Sequence, residues 1–492
     1  MLALLHRRGL PLYILAALLV CGILPLFSRG TGQVPPPILI EASESANPEF
    51  PGIPALQSFV SASWNGKWVI IGGRTNGYHQ TGGRDTDFDR TQANQKIWVI
   101  DTSGPAPHKV YCAPVSTLPD SLALVRDQWM SSNLLYFQDG DTLYVAGGYG
   151  ENSEHHWVTY PALSVVSLPA LIDGVMNARP FSSAISFARS ELVQSAGGDL
   201  IKLEDNFYVV MGHVFMGNYA DFEGGNEHNS VKASQKYLGE IRKLSITRGP
   251  RGLRVSLVDR YSDPEFLRRD LNTTYTIMPD GKTLGAAAYG GVFTKDQLSF
   301  SRPIYFGPSS APWVDDGYEQ KMSAYACAKL LVFDNASQTM YTTFFGGISR
   351  WFWNYQKNEF EIEPLVGDKS KDTYYDGLQW IDQISTLVRQ GRRTSEFVQP
   401  SNRLPVAMGA EGVFFPMASL REERPGTKIL DARQFRGKRL LAGYLYGGIR
   451  AFPRQFPYRD DSPAYRPGAV PTKPSDAVLK VYVTVPETPA GG

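Results

Sequence analysis

Arginines recur beside acidic and aromatic residues in several short polar stretches of this chain. Arg74 is followed by Asn76 and His79, and Arg126 and Asp127 precede Trp129. Arg268, Arg269 and Asp270 run together, Arg350 abuts Trp351, and Arg450 follows a glycine pair. Tyr149, Glu151 and His155 form another group, and His213, Asn218, Tyr219, Tyr318 and Lys321 stand later in the chain. A guanidinium fork suits carboxylates and other planar anions, while Tyr and Trp rings stack on sugars or side chains. Together these residues offer recognition of a polar ligand. The plainer alternative for any one of them is an Arg–Asp pair that braces one element against the next.

Metal and cofactor chemistry finds less support. Asp85, Asp87 and Asp89 alternate as in the opening of a calcium loop, but Lys96 stands where the closing Glu belongs, so a solvated acidic loop is the better reading. His155 and His156 are adjacent, and neighbouring side chains on extended backbone point opposite ways. His213 and His228 complete no ligand pattern with them, so neither a metal nor any other cofactor is expected. Hydrolase and nucleotide motifs of the G-x-S-x-G, H-E-x-x-H and P-loop kinds are absent. Asp221, Glu223 and Glu227 cluster in an insertion at about 214–236, and paired carboxylates with an Arg could do acid–base work on a sugar.

A repeated element must position these residues. A turn, a strand of aromatic and β-branched residues and a glycine pair recur as NGKWVIIGG at Asn65–Gly73, DGDTLYVAGG at Asp139–Gly148 and EDNFYVVMGH at Glu204–His213. The pattern continues as DGKTLGAAAYGG at Asp280–Gly291, NASQTMYTTFFGG at Asn335–Gly347 and RGKRLLAGYLYGG at Arg436–Gly448. The third copy keeps Gly212 and has His213 in place of a second glycine. Asn-Gly and Asp-Gly take the positive φ angles of tight hairpins, and the short apolar strands suit a sheet covered on both faces. A strand precedes most turns and others follow several glycine pairs, so each unit holds four strands, as a propeller blade does.

These units resemble the kelch repeat family and the wider galactose-oxidase-type propellers, from about Leu56 to Phe452. The resemblance implies an all-β, six-bladed, kelch-like β-propeller with four-stranded antiparallel blades. The less regular fourth and sixth units leave five or seven blades as alternatives. Pro37–Glu41 and Val478–Val485 read as lone strands that would enter the last blade and close the ring, with a Pro-rich loop at about 453–474 between. In such a fold, the loops after the glycine pairs and those before the innermost strands emerge on one face around the channel. That places Arg74, His79, Tyr149, His155, His213, Arg350, Trp351 and Arg450 beside Arg126, Asp127, Arg269, Asp270, Tyr318 and Lys321. The copper-radical oxidases share the architecture, but Thr276 stands where their histidine would follow Tyr275.

Met1–Gly30 has a basic start, an apolar run from Leu10 to Phe27 and then small residues, which reads as an export signal. The alternatives are an anchor helix or lipidation at Cys21, the two ways in which the chain would meet a membrane. The remainder, 31–492, reads as one propeller domain. A net charge of +1 argues against nucleic acid as a partner. The expected function is therefore an exported, non-catalytic binding or scaffold propeller for a glycan or protein ligand. A carbohydrate-active enzyme, similar to sialic acid mutarotases or another sugar-acting propeller, is the alternative. The enzyme would require two carboxylates converging in the channel, one with a raised pKa.

Overall fold

Asn65 and Gly66 both take positive φ, +47° and +71°, and turn the strand Val60–Trp64 into Lys67–Ile71. The sheet continues antiparallel through Lys96–Asp101 and Lys109–Pro114. The computed structural model describes residues 37–78, 87–219, 233–250, 252–296, 298–362, 378–452 and 472–487. Its other large sheets follow the same plan. The second holds Ser132–Asp139, Thr142–Glu151, Ala162–Ser167 and Ile185–Arg189, and the third Asp199–Leu203, Asn206–Val210, Glu240–Gly249 and Gly252–Ser262. The fourth holds Asn272–Ile277, Leu284–Tyr289, Ile304–Gly307 and Ser310–Val314; the fifth holds Ala328–Asp334, Thr339–Ser349, Gln379–Gln390 and Arg393–Arg403.

Five sheets thus draw their four main strands from one stretch of chain each, against the six repeat units in the sequence. The sixth unit lies in a terminal sheet that joins Val413–Pro416, Leu440–Tyr446, Val478–Thr484 and Leu39–Ser45, taking strands from both ends of the described chain. The four-stranded antiparallel sheets form an all-β propeller.

Strand alternation explains the continuous apolar runs. Val69 and Ile71 pack with Leu134, Leu143 and Val166 of the second sheet, while Trp68 and Ile70 pack with Tyr444 and Tyr446 of the terminal sheet. Trp68 stacks on Phe415 with centroids 4.2 Å apart. Leu200 and Phe207 likewise meet the second sheet, while Ile201 and Tyr208 meet the fourth. Each inner strand is therefore buried on both faces, and each buried Val, Ile or Phe contributes about 1.5–3 kcal/mol.

The glycine pairs join successive sheets through the backbone. The second residue of each pair donates its N–H to a carbonyl that leads into the following sheet: Gly73 to Ser131, Gly148 to Ser195 and Gly212 to Arg268. Gly291 donates to Ala324, Gly347 to Met408 and Gly448 to Leu56 in the same way. The approach leaves no room for side chains, since a Cβ on Gly147 would lie 1.9 Å from the Ser195 carbonyl oxygen. The third pair is Met211–Gly212, at φ +58° and +88°, and not Gly212–His213 as the diglycine alignment suggests. Met211 takes the first position because its side chain is fully buried beside Ile241, Phe266 and Leu271.

Two expectations about loops change. The described ends of the insertion, His213–Met216 and Ser234–Tyr237, pair as a hairpin that extends the second sheet through Met216 and Val158. At the end of the Pro-rich stretch, Thr472–Pro474 is a strand paired with Ile449–Ala451, since those backbone groups find ladder partners there. The leader, residues 220–232 with Asp221, Glu223, Glu227 and His228, and residues 453–471 lie outside the described residues.

Candidate functional site

Six residues at or just before the starts of the innermost strands are hydrogen-bonded in series. Asn133 N–H donates to Ser58, Gly197 to Asn133, Asp270 to Gly197, Ala326 to Asp270 and Glu411 to Ala326, each time at the carbonyl. Ser58, Asn133, Asp270 and Glu411 hold φ between +51° and +56°, a region that non-glycine residues seldom occupy. This left-handed kink brings the chain onto the channel axis before each strand departs. Ser58, Asn133, Asp270 and Glu411 consequently line one axial cavity of about 30 Å³ together with Arg74 and Arg269.

The cavity brings two acids together. Asp270 is buried and receives Arg269 Nη1 at 2.6 Å. Burial pushes its carboxyl up, opposed by Arg269 and by a hydrogen bond from Tyr325. Glu411 Oε1 is buried and has no hydrogen-bond partner among the described residues. Burial, then the neighbouring Asp270 carboxylate, push Glu411 up to about 8, against smaller pulls from Ser58, Lys329 and Arg74. At neutral pH Glu411 therefore keeps its proton while Asp270, held by Arg269, is the member of the pair able to accept one.

Two basic groups flank the acids. Arg74 is buried, donates to the Asp87 carbonyl at 3.0 Å, and lies 4.2 Å over the Phe88 ring. Its Nε has no hydrogen-bond partner among the described residues, and burial lowers its pKa. His213 is held well below its ordinary pKa by burial and by Arg269. The Gln235 amide donates to its Nδ1 at 2.5 Å, which leaves the neutral ring with its proton on Nε2.

Of the sequence candidates, Arg74, Tyr149, His213, Tyr219, Arg269 and Asp270 meet at this cavity. Several of the others serve as braces. Arg126 donates to Leu118 and Asp120, and Asp127 accepts from Arg90 at 2.7 Å and from Ser153. His155 pairs with Glu151 at 2.5 Å on an exposed loop. Tyr318 donates to Glu396 at 2.8 Å, and the Lys321 backbone N–H donates to the same carboxylate. Trp351 packs in an apolar cluster around Phe352 and Ile381. Arg350 and Arg450 stand away from the cavity lining, Arg450 lying 5.6 Å over Phe452. His79 and Asp85 fall outside the described residues; Asp87 lends its backbone carbonyl to Arg74 and Asn76, and no cluster of three metal-ligating side chains occurs among the described residues.

Glu411, Tyr325 and Tyr78 also line the cavity and escaped the sequence reading. A signal for Glu411 existed: it stands two residues before its strand, as Ser58 and Asp270 do before theirs.

Fold and site define a β-propeller with a polar, acid-bearing pocket on its axis. No family model and no curated protein matches the chain. Among solved structures, one titled "Structure of YjhT" is similar at 12% identity, covering 89% of this chain and 99% of that one, with a TM-score of 0.47.

Proposed function

We propose that the axial pocket receives one acidic or hydroxylated group of a small ligand, a sugar acid above all, and moves a proton on it. One observation carries this reading: a carboxyl that keeps its proton, Glu411, and a carboxylate held by Arg269, Asp270, line a single cavity. Recognition alone has no use for such a pair, whereas proton transfer needs one group to give and another to take. On a cyclic hemiketal, Asp270 takes the proton of the anomeric hydroxyl while Glu411 gives one to the ring oxygen. The ring bond breaks, the carbonyl forms, and the reverse steps close the ring on either face. This is the mutarotase-like alternative stated as a reaction. Arg74 supplies positive charge for a ligand carboxylate. A cavity of about 30 Å³ admits one such group, so the ligand body stays outside it.

Finer features of the fold belong to the same proposal. The sheets act as six kelch-like blades, with the terminal sheet closing the ring; the Gly448 to Leu56 hydrogen bond and the Trp68–Phe415 stack support this. Residues 31–492 form that single domain. The basic start and apolar run of Met1–Gly30 support export to the periplasm, the cell surface or the medium. Non-catalytic recognition of a glycan or protein segment by the rim is the second reading. It is supported by Arg350 and Arg450, whose Nε atoms are buried with no hydrogen-bond partner among the described residues.

Exchange of N-acetylneuraminate anomers, followed by NMR, tests the enzyme reading. The wild type should accelerate exchange, and Glu411→Gln and Asp270→Asn should each slow it by about 10²–10⁴-fold, with circular dichroism confirming the fold of both. No acceleration at any pH, or full activity in Glu411→Gln, leaves the recognition reading in its place.

A further inference from the structure

The axial pocket is one end of a longer channel. A middle cavity of about 80 Å³ shares Asn133, Asp270 and Glu411 with it, and shares Asp199, Cys327 and Lys329 with a lower cavity of about 220 Å³. The lower cavity opens at the hairpin end of the inner strands, where Gln138 and Tyr275 line it. It is the roomiest of the three, and none of the acid–base residues above lines it.

Its lining combines cationic, polar and apolar groups. Lys329 Nζ donates to the neutral side-chain oxygen of Asn272 at 3.2 Å, with the Asp199 and Glu411 carboxylates acting on it from further away. Lys428 lines the other side, on a loop whose backbone there holds φ +58°. Among the described residues, neither ammonium has a carboxylate within 4.0 Å. Thr274, 6% exposed, presents a buried hydroxyl with no hydrogen-bond partner among the described residues. Aromatic walls come from Tyr136, Phe137, Tyr275 and Phe414. The one acid of the lining, Asp199, already accepts the Thr273 N–H at 2.7 Å, and burial pushes its carboxyl up, which weakens it as a counter-ion.

We propose that the lower mouth is a second ligand site, for a small organic anion with one carboxylate and an apolar or aromatic body. The carboxylate lies between Lys329 and Lys428 and accepts from the Thr274 hydroxyl, while the body packs against the aromatic walls. Lys329 is half-buried and Lys428 exposed at the mouth, so an anion between them would accept charge-assisted hydrogen bonds from both sides. A neutral ligand of the same shape would leave both as they are. This site is independent of the chemistry assigned to the upper pocket.

Saturation-transfer NMR on the whole protein with benzoate, and with benzamide as its neutral counterpart, tests the proposal. Benzoate should show transfer and benzamide much less. Lys329→Met and Lys428→Met should each weaken benzoate binding by about tenfold or more, the worth of a hydrogen bond to a charged group. Arg74→Met, which alters the upper pocket, should retain it. Lys428 stands on the mouth loop, so its substitution tests the site even where Lys329→Met fails to fold. Absence of transfer from benzoate, equal binding of benzamide, wild-type affinity in Lys428→Met, or loss of binding in Arg74→Met would each overturn the proposal.

Discussion

Glu411 keeps its proton because a carboxylate in its place would be both desolvated and set beside Asp270. That has a consequence for stability as well as for chemistry. Below the ordinary carboxyl range of about 4.5, folded and unfolded chains are both protonated at this residue. As pH rises toward 8, the unfolded chain releases the proton and the folded chain retains it, so ionisation increasingly favours unfolding. Glu411→Gln removes this penalty. At about pH 9 the variant should be the more stable by up to about 5 kcal/mol, read as a higher melting temperature, and the advantage should vanish near pH 4. A pH-independent difference between the two melting curves would show that Glu411 does not titrate in this way. Asp270 was legible as half of a charged dipeptide with Arg269, whereas Glu411 was marked only by its place two residues before a strand. Its proton affinity comes from burial and from a neighbour far away in sequence.

The glycine pair is the part of the element that the fold cannot vary freely. Its reason lies between sheets: the chain passes so close to the next sheet's leading strand that a carbonyl occupies the space of a Cβ. Gly147→Ala meets both a positive φ of +61° and the Ser195 carbonyl. It should cost more than about 2 kcal/mol, read as a fall in the urea midpoint. Gly249→Ala, with nothing within 4 Å of its Cβ, should stay within about 0.5 kcal/mol of the wild type. Similar midpoints for the two variants would refute the close-approach account. Hairpins at Asn65-Gly66 and Asp139-Gly140 were legible because φ is a local property of one residue. The slip at Met211 was not, because the first position of the pair tolerates a side chain only where the surrounding core happens to receive it.

At the scale of the molecule, Leu39–Ser45 and Leu440–Tyr446 flank Val478–Thr484 in one sheet, so the two ends of the described chain meet there. Ile40 and Val483 are fully buried partners across that ladder. Deleting residues 39–45 should expose Val478–Thr484 as an unpaired edge. The expected result is a lower melting temperature and concentration-dependent association, visible by size-exclusion chromatography. A monomer with unchanged melting would mean that this pairing adds nothing to the fold.

Sequence alone determined the strands, the hairpins and the radial plan, because these rest on residue-level φ preferences and on period-two burial that repeats along the chain. It also marked Arg74, Tyr149, His213, Arg269 and Asp270 as residues of one face. Only the tertiary structure decided which of the marked residues converge, and it added Glu411 to them. Convergence depends on where six separate segments reach a common axis, and the charge state of an acid there depends on desolvation by neighbours that no local pattern records.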